Sequence, residues 1–332
     1  MKKVTISDIA REAGVSKATV SLVLNNRHIN VSEKTRKNIL EISKKLNYIP
    51  NSVARSLTTK KTETIGIILP DIVNPFFSEM ARAIEDAAGK LNYSVMLCNS
   101  DNNVLKEEKY ARLLVSKLIA GTIFISGGNS KKSLDILNQK NVPVVLVDRY
   151  IEPLKDYSGV FCLSNKGIYE AINYLYNEKN RKSIAFVTGP MNLEISKLRL
   201  KAYIEVTKKM GIYDENLIYE SNYSVEGGTS ITDKILDSCN KIDAIIYCSD
   251  VMAFGGLKVL KRRKLKIPKD ISVIGHDDIN FCKYVEPELT TIKQPIYEMG
   301  KKACELLIEI INGNVSQKKV NFQTELVIRG TA

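Results

Sequence analysis

Histidine is nearly absent from this 332-residue sequence: it occurs twice, and neither copy stands in a Glu/Asp/His grouping at metal-ligand spacing. An enzyme built on this chain would have to work with carboxylates alone. The six cysteines, Cys98, Cys162, Cys239, Cys248, Cys282 and Cys304, lie far apart and never form C-x-x-C, which speaks against a disulfide framework or a zinc site and for buried free thiols. No apolar run approaches the roughly 18 residues of a membrane span, and no charged-then-apolar leader opens the chain. A cytoplasmic protein is expected. Neither Gly127-Gly128 nor Gly227-Gly228 belongs to a G-x-x-x-x-G-K or G-x-G-x-x-G pattern, so no nucleotide-phosphate cradle is indicated, and nothing resembles a nucleophile elbow. No cofactor and no metal are expected.

What is present is positive charge, concentrated at one end. Met1 to Lys61 hold 13 Lys and Arg against four Asp and Glu, a surplus of +9 out of +12 for the whole chain. A basic head on a nearly neutral body is the electrostatic footprint of a phosphate-backbone binder, because each cation that displaces a condensed counterion adds favourable counterion release. Within that head, Ile6, Ile9, Ala10 and Ala13 recur at helical spacing after Thr5, which pairs with Asp8 as a capping box. Gly14 stops this helix. Ser16 can cap a second one, with Val20, Val23 and Leu24 facing inward and Lys17, Ala18, Ser21 and Leu22 outward. A third helix after Ser32 would complete the bundle through Ile39, Leu40, Ser43 and Leu46. Two helices across a tight turn, the second presenting small and basic residues, make a helix-turn-helix.

The run VTISDIAREAGVSKATVSLVLN, then VSEKTR and LNYIPNSVARSL, closely resembles the LacI/GalR family of bacterial transcription regulators. NPFF, LRLKAY, SDVMAFGG, GHDD and LTTIKQP follow in family order, so the resemblance covers essentially the whole chain. It implies DNA contacts by Thr5, Ser16, Lys17, Ala18, Thr19, Ser21, Leu22 and Asn25 of the head. It also implies a hinge helix after Pro50, in which Asn51, Ala54 and Arg55 meet DNA and Leu57 wedges between base pairs from the minor groove. Packing of Leu57 on the core is the alternative. His28, in the loop after the second helix, is read as meeting solvent or phosphate.

From Thr64 onward short apolar runs alternate with amphipathic stretches, the pattern of a parallel sheet with crossover helices. Strands are expected at 65–69, 94–98, 122–126 and 142–148, and again at 183–188, 244–249 and 272–276. Helices are expected at 76–91, 105–119, 131–139, 194–210, 226–237 and 251–263. The fold class is α/β: a helix-turn-helix head plus two doubly wound parallel-sheet subdomains, the core of a periplasmic-binding-protein-like body. The domain reading is a head at 1–49, hinge helix and linker at 50–61, one subdomain at 62–162 with 293–321, and a second at 163–292 with 322–332. Three crossings, near Cys162–Asn165, Leu289–Pro295 and Phe322–Ile328, would form a hinge.

Ligands of open α/β sheets bind beyond the carboxyl ends of the strands, and two such subdomains face each other there. The polar residues ending strands, such as Asp148, are therefore candidates. Phe76 and Phe77 either stack on a ligand or pack in the core. Arg199 could grip hydroxyls or a carboxylate, or make a surface ion pair. The resemblance assigns Phe76, Phe77, Arg199, Tyr223, Ser249 and Asp277 to an effector pocket. Asp250 either caps a helix or joins that pocket, and His276, where the family has Phe or Tyr, is a packed neutral imidazole, a ligand contact or a pH-sensitive group.

A sequence-specific, homodimeric repressor of a palindromic operator is the resulting expectation, controlled by a small effector such as a sugar or sugar derivative. No leucine-heptad extension follows Ile328, which favours a dimer. A phosphoprotein co-regulator is a further possible partner. The competing classes are a sugar-binding protein, which predicts a leader and no basic head, and a carbohydrate or nucleotide enzyme on the same body.

Overall fold

In the computed structural model, residues 4–24, 31–48, 62–128, 130–149, 157–238, 241–314 and 318–332 are described. The chain divides into two compact units, Met1–Thr62 and Glu63–Ala332.

The first unit holds α1 (Ile6–Ala13), α2 (Lys17–Leu24) and α3 (Glu33–Lys45). Their ends are fixed by short polar residues. The Asp8 carboxylate accepts the Thr5 N–H at 3.0 Å and the Thr5 hydroxyl at 2.7 Å, Ser16 accepts the Thr19 N–H at 3.0 Å, and Ser32 accepts the Thr35 N–H at 3.1 Å. Gly14, at φ 64°, closes α1 in the left-handed conformation. Ile9, Ala10, Val20, Val23, Ile39 and Ile42 form the core. The expected inner stripe of α3 is corrected in one place: Leu40 is 48% exposed, and Ile42, one helical step of three from Ile39, takes the inward position.

The second unit contains two six-stranded sheets. In the first, β1 (Thr64–Leu69), β2 (Ser94–Asn99), β3 (Gly121–Phe124), β4 (Val144–Val147), β5 (Ser158–Leu163) and β11 (Lys319–Gln323) run parallel in the order β11-β5-β4-β3-β1-β2. The second comprises β6 (Ile184–Thr188), β7 (Ile218–Glu220), β8 (Ala244–Tyr247), β9 (Ser272–Asp277), β10 (Thr290–Lys293) and β12 (Glu325–Val327). Its order is β12-β10-β9-β8-β6-β7, with β12 antiparallel to β10 and the rest parallel. Strands buried on both faces read as continuous apolar runs, as in TIGIIL and AIIY.

Crossover helices cover the sheets: α4 (Pro75–Lys90), α5 (Val104–Ser116), α6 (Lys131–Asn138), α7 (Asn165–Asn173), α8 (Glu194–Lys209), α9 (Val225–Asp237), α10 (Asp250–Arg262) and α11 (Ile296–Ile311). Every strand and helix expected between Ile65 and Arg263 forms. The chain passes between the sheets three times: between β5 and α7, between β10 and α11, and at Thr324 between β11 and β12. Thr324 is pinned there, its hydroxyl donating to the Leu163 carbonyl at 3.2 Å and accepting from the Gly167 N–H at 3.0 Å.

Cys98, Cys162, Cys248, Cys282 and Cys304 are buried free thiols, while Cys239 lies outside the described residues. Burial pushes the Cys98 thiol up to about 11 and those of Cys162, Cys248 and Cys304 up to about 12. Among the described residues no helix is long and apolar enough to cross a membrane.

Helices α9 and α10 approach tightly at Gly228, where an added Cβ would press into the Met252 carbonyl of α10, whereas one at Gly89 in α4 would meet nothing. Gly228→Ala should therefore destabilise the protein by about 1–3 kcal/mol through overpacking. Gly89→Ala should stabilise it by up to about 1 kcal/mol. Thermal melts of the two variants should shift in opposite directions.

Candidate functional site

The carboxyl ends of β1, β4, β6, β8 and β9 converge on a cleft between the two sheets of the second unit. After β1 the Asn74 side chain accepts the Phe76 N–H at 3.0 Å, and Pro75 starts α4, where its missing N–H is no loss. That cap places Phe76 and Phe77 on the first turn, edge to face with centroids 5.0 Å apart. Both rings line the cleft while belonging to the core cluster of the body, so core packing and exposure to the cleft are not alternatives for this pair.

At the end of β4, Asp148 takes a left-handed φ of 63° and Arg149 follows it. The Arg149 guanidinium donates to the Ser126 carbonyl at 2.8 Å and to Asn102 Oδ1 at 3.1 Å. It lies 5.3 Å from the Phe77 centroid and 6.0 Å from that of Tyr223, which comes from the opposite subdomain. Arg199 on α8 donates to the Cys248 carbonyl at 2.8 Å and is 4% exposed, which rules out a surface ion pair. Tyr223 shares a 2.9 Å hydrogen bond with Ser196. Asp277, ending β9 at φ 123°, accepts from Gln294 Nε2 at 2.8 Å.

Phe76, Phe77, Asp148, Arg199, Tyr223, Ser249 and Asp277 thus line one cavity. Asp250 does not join them. It opens α10 one residue beyond Ser249 and turns into the second subdomain, where Oδ1 accepts the Thr291 hydroxyl at 2.5 Å and Oδ2 the Ile279 N–H at 2.9 Å. The lining also includes Asn74, Arg149, Ile195 and Gln294, which sequence reasoning did not single out. Their signals were available: Asn74 and Gln294 stand inside the NPFF and LTTIKQP motifs, and Arg149 is a charge closing an apolar strand.

Burial raises the Asp277 carboxyl well above its ordinary range; Arg199 works against this and Asp250 with it. Asp148 is likewise raised by burial and held down by Arg199 and Arg149. Burial opposes the charge on Arg199, yet Tyr223, Asp277 and other ionisable neighbours outweigh it and hold the proton more tightly. Asp148 Oδ1, Ser249 Oγ and Gln294 Oε1 are buried without a hydrogen-bond partner among the described residues. An unsatisfied buried polar atom costs about 1–3 kcal/mol. Three of them around two guanidiniums and two carboxyls suit a small ligand rich in hydroxyls, which both donate and accept. Among the described residues no cluster of three or more His, Cys, Asp or Glu could hold a metal.

In the first unit, Lys17 and Ala18 are exposed at the start of α2, Thr19, Ser21 and Leu22 are half-buried beside them, and Thr5 and Ser16 are exposed at helix starts. Asn25, His28, Asn51, Ala54, Arg55 and Leu57 lie outside the described residues.

Residues 5–51 match the model of bacterial regulatory proteins of the lacI family, and residues 172–332 match a periplasmic binding protein-like domain. The chain is 38% identical over 314 residues to the HTH-type transcriptional regulator RegA of Clostridium saccharobutylicum, covering 93% of this chain and 92% of that protein. It is 35% identical over 328 residues to the ribose operon repressor of Halalkalibacterium halodurans, covering 98% and 96%. Among solved structures it resembles the lac repressor dimer bound to operator, with a TM-score of 0.90 at 26% identity over 99% of both chains. It also resembles a LacI family regulator from Enterococcus faecium with bound ribose, with a TM-score of 0.73 at 28% identity over 81% of this chain and 98% of that one. The chain belongs to the lacI family of bacterial regulatory proteins and is a DNA-binding transcription regulator.

His276, 1% exposed beside the cleft, is driven well below the ordinary imidazole value of 6.5, first by burial and then by Arg199. As a neutral group it contributes stability that is present above about pH 6.5 and lost as the pH falls, because the unfolded chain takes up the proton first. His276→Phe should remove that part of the slope. Between pH 7.5 and 5.5 the parent should lose about 1 kcal/mol more than the variant in urea unfolding. Buried carboxyls such as Asp277 and Asp148 contribute the opposite slope in both proteins and cancel in the difference.

Proposed function

We propose that this regulator is a homodimeric repressor of a palindromic operator, released or engaged by a monosaccharide bound in the cleft. The observation that carries the reading is the meeting of Asp148, Arg149, Arg199 and Asp277, drawn from both subdomains, around unpartnered buried polar atoms. The unpartnered oxygens of Asp148, Ser249 and Gln294 call for hydroxyls, which donate and accept alike. The repressor and the structure whose names mention ribose make D-ribose the first sugar to test.

A ligand touching both subdomains favours one angle between them over another, and only such differential affinity can shift the equilibrium. The coupling is reciprocal: the factor by which the sugar changes operator affinity is the factor by which operator changes sugar affinity. Arg199→Ala and Asp277→Asn should bind operator as the parent does and fail to respond to sugar. Thermal shift with added sugar reads the second half of this, since a ligand at 100 times its dissociation constant adds about 2.7 kcal/mol. Normal sugar response in both variants would place the pocket elsewhere, and turnover of the sugar by the parent would favour an enzyme.

On the DNA side, Lys17 and Ala18 are the exposed residues at the start of the second helix, the end that meets base edges in the major groove. Lys17→Ala should weaken the preferred operator by about 1–3 kcal/mol and relax selectivity at one position of each half-site. Equal weakening across unrelated sequences, in a binding assay at fixed salt, would mean that Lys17 grips phosphate only.

A further inference from the structure

Arg329, two residues beyond β12, reaches the cleft from behind. Its Nη2 donates to Asp278 Oδ1 at 2.6 Å and its Nη1 to the Leu289 carbonyl at 2.8 Å, while its backbone N–H donates to Thr290 Oγ1 at 2.9 Å. Nε lies 3.8 Å from the Glu288 carboxylate. The Arg329 and Asp278 side chains are 9% and 12% exposed. None of these atoms lines the cavity.

Asp278 follows Asp277, and both residues depart from ordinary backbone, at φ 60° and 123°. Conformations of this kind persist in non-glycine residues only when the surroundings over-determine them. Here the turn is held from three sides. Gln294 bonds Asp277 through its side chain and through its backbone N–H, which donates to the Asp277 carbonyl at 3.2 Å. Asp250 accepts the Ile279 N–H at 2.9 Å, and Arg329 pairs with the Asp278 carboxylate. Glu79 of the other subdomain also faces Asp278; burial and then Asp278 raise its carboxyl. Without Arg329, Asp278 would be a little-exposed carboxylate facing another acid, with every reason to turn toward water.

We propose that Arg329 is a positioning residue for the effector pocket: paired with Asp278, it holds the turn that aims the Asp277 carboxylate into the cleft. This rests on the reading of the cleft as the effector site. Arg329 also lies just past the third crossing at Thr324, so one side chain joins that crossing to the pocket wall.

The test uses the full chain with Arg329→Gln, Arg329→Lys, Asp278→Asn and the double variant Asp277→Asn with Arg329→Gln. The Gln294 side-chain amide, observed by ¹H–¹⁵N correlation without ligand, reports the hydrogen bond to Asp277. Arg329→Gln should move this signal and weaken D-ribose, titrated calorimetrically, on the order of ten- to a hundredfold. Lysine should restore part of the affinity, and adding Arg329→Gln to Asp277→Asn should cost little more, because both act through one carboxylate. If Arg329→Gln does not fold, Asp278→Asn breaks the same pair with its shape kept and should shift the same amide. An unmoved Gln294 signal in a folded variant, or fully additive losses, would overturn the proposal. If ribose fails to bind the parent, the choice of ligand is wrong, and the Gln294 signal still decides the role of Arg329.

Discussion

Four ionisable side chains shut away from water at the mouth of two sheets are the constraint on which the rest of this body depends. Removing a charge from water is expensive unless opposite charge and hydrogen bonds replace the solvent. Arg199 meets this by bonding the Cys248 carbonyl at a strand end, Arg149 by bonding the Ser126 carbonyl and Asn102, and Asp277 by taking the Gln294 amide. Each solution uses a group that only the strand-end geometry supplies. Asp148 keeps one oxygen without such a partner, and that incompleteness is what supports the proposed reading of the cleft as a binding site.

In the proposed reading, binding energy would become regulation because the charged groups are divided between the sheets. Asp148 and Arg149 extend from β4 in the first, Arg199 and Asp277 from α8 and β9 in the second. Three short crossings connect these halves, and Gln294 occupies one of them while touching Asp277. Gln294 thus ties the wall of the cleft to one of the crossings. Arg149, resting against Tyr223 across the cleft, supplies a contact between halves that a ligand would have to replace or extend.

The alternation of apolar runs made the parallel sheets and most crossover helices readable, because a doubly buried strand leaves a continuous apolar signal. β7, three residues long, and β5, of which only the end near Cys162 was read, as a crossing, lacked that signal. Most of the pocket was legible through residues ending strands. Asp250 stayed open between two readings because strand-end position does not fix direction: the first residue of a helix can turn back into its own subdomain, as this one does toward Thr291. Arg149 escaped notice for the opposite reason, since a cation after a strand normally reads as solvent-facing, and only the fold shows it folded inward over Phe77.

The buried thiols have a chemical consequence. Nucleophilic attack on oxidants or alkylators requires thiolate, and a thiol whose pKa stands near 12 is ionised only to about one part in a hundred thousand at neutral pH. Cys162, Cys248 and Cys304 all stand there, and the Cys248 carbonyl also braces Arg199. Peroxide or electrophile stress that modifies exposed thiols elsewhere in a cell would pass these sulfurs by. The cleft beside Cys162 and Cys248 would keep its geometry under conditions in which a redox-sensing regulator would have changed state.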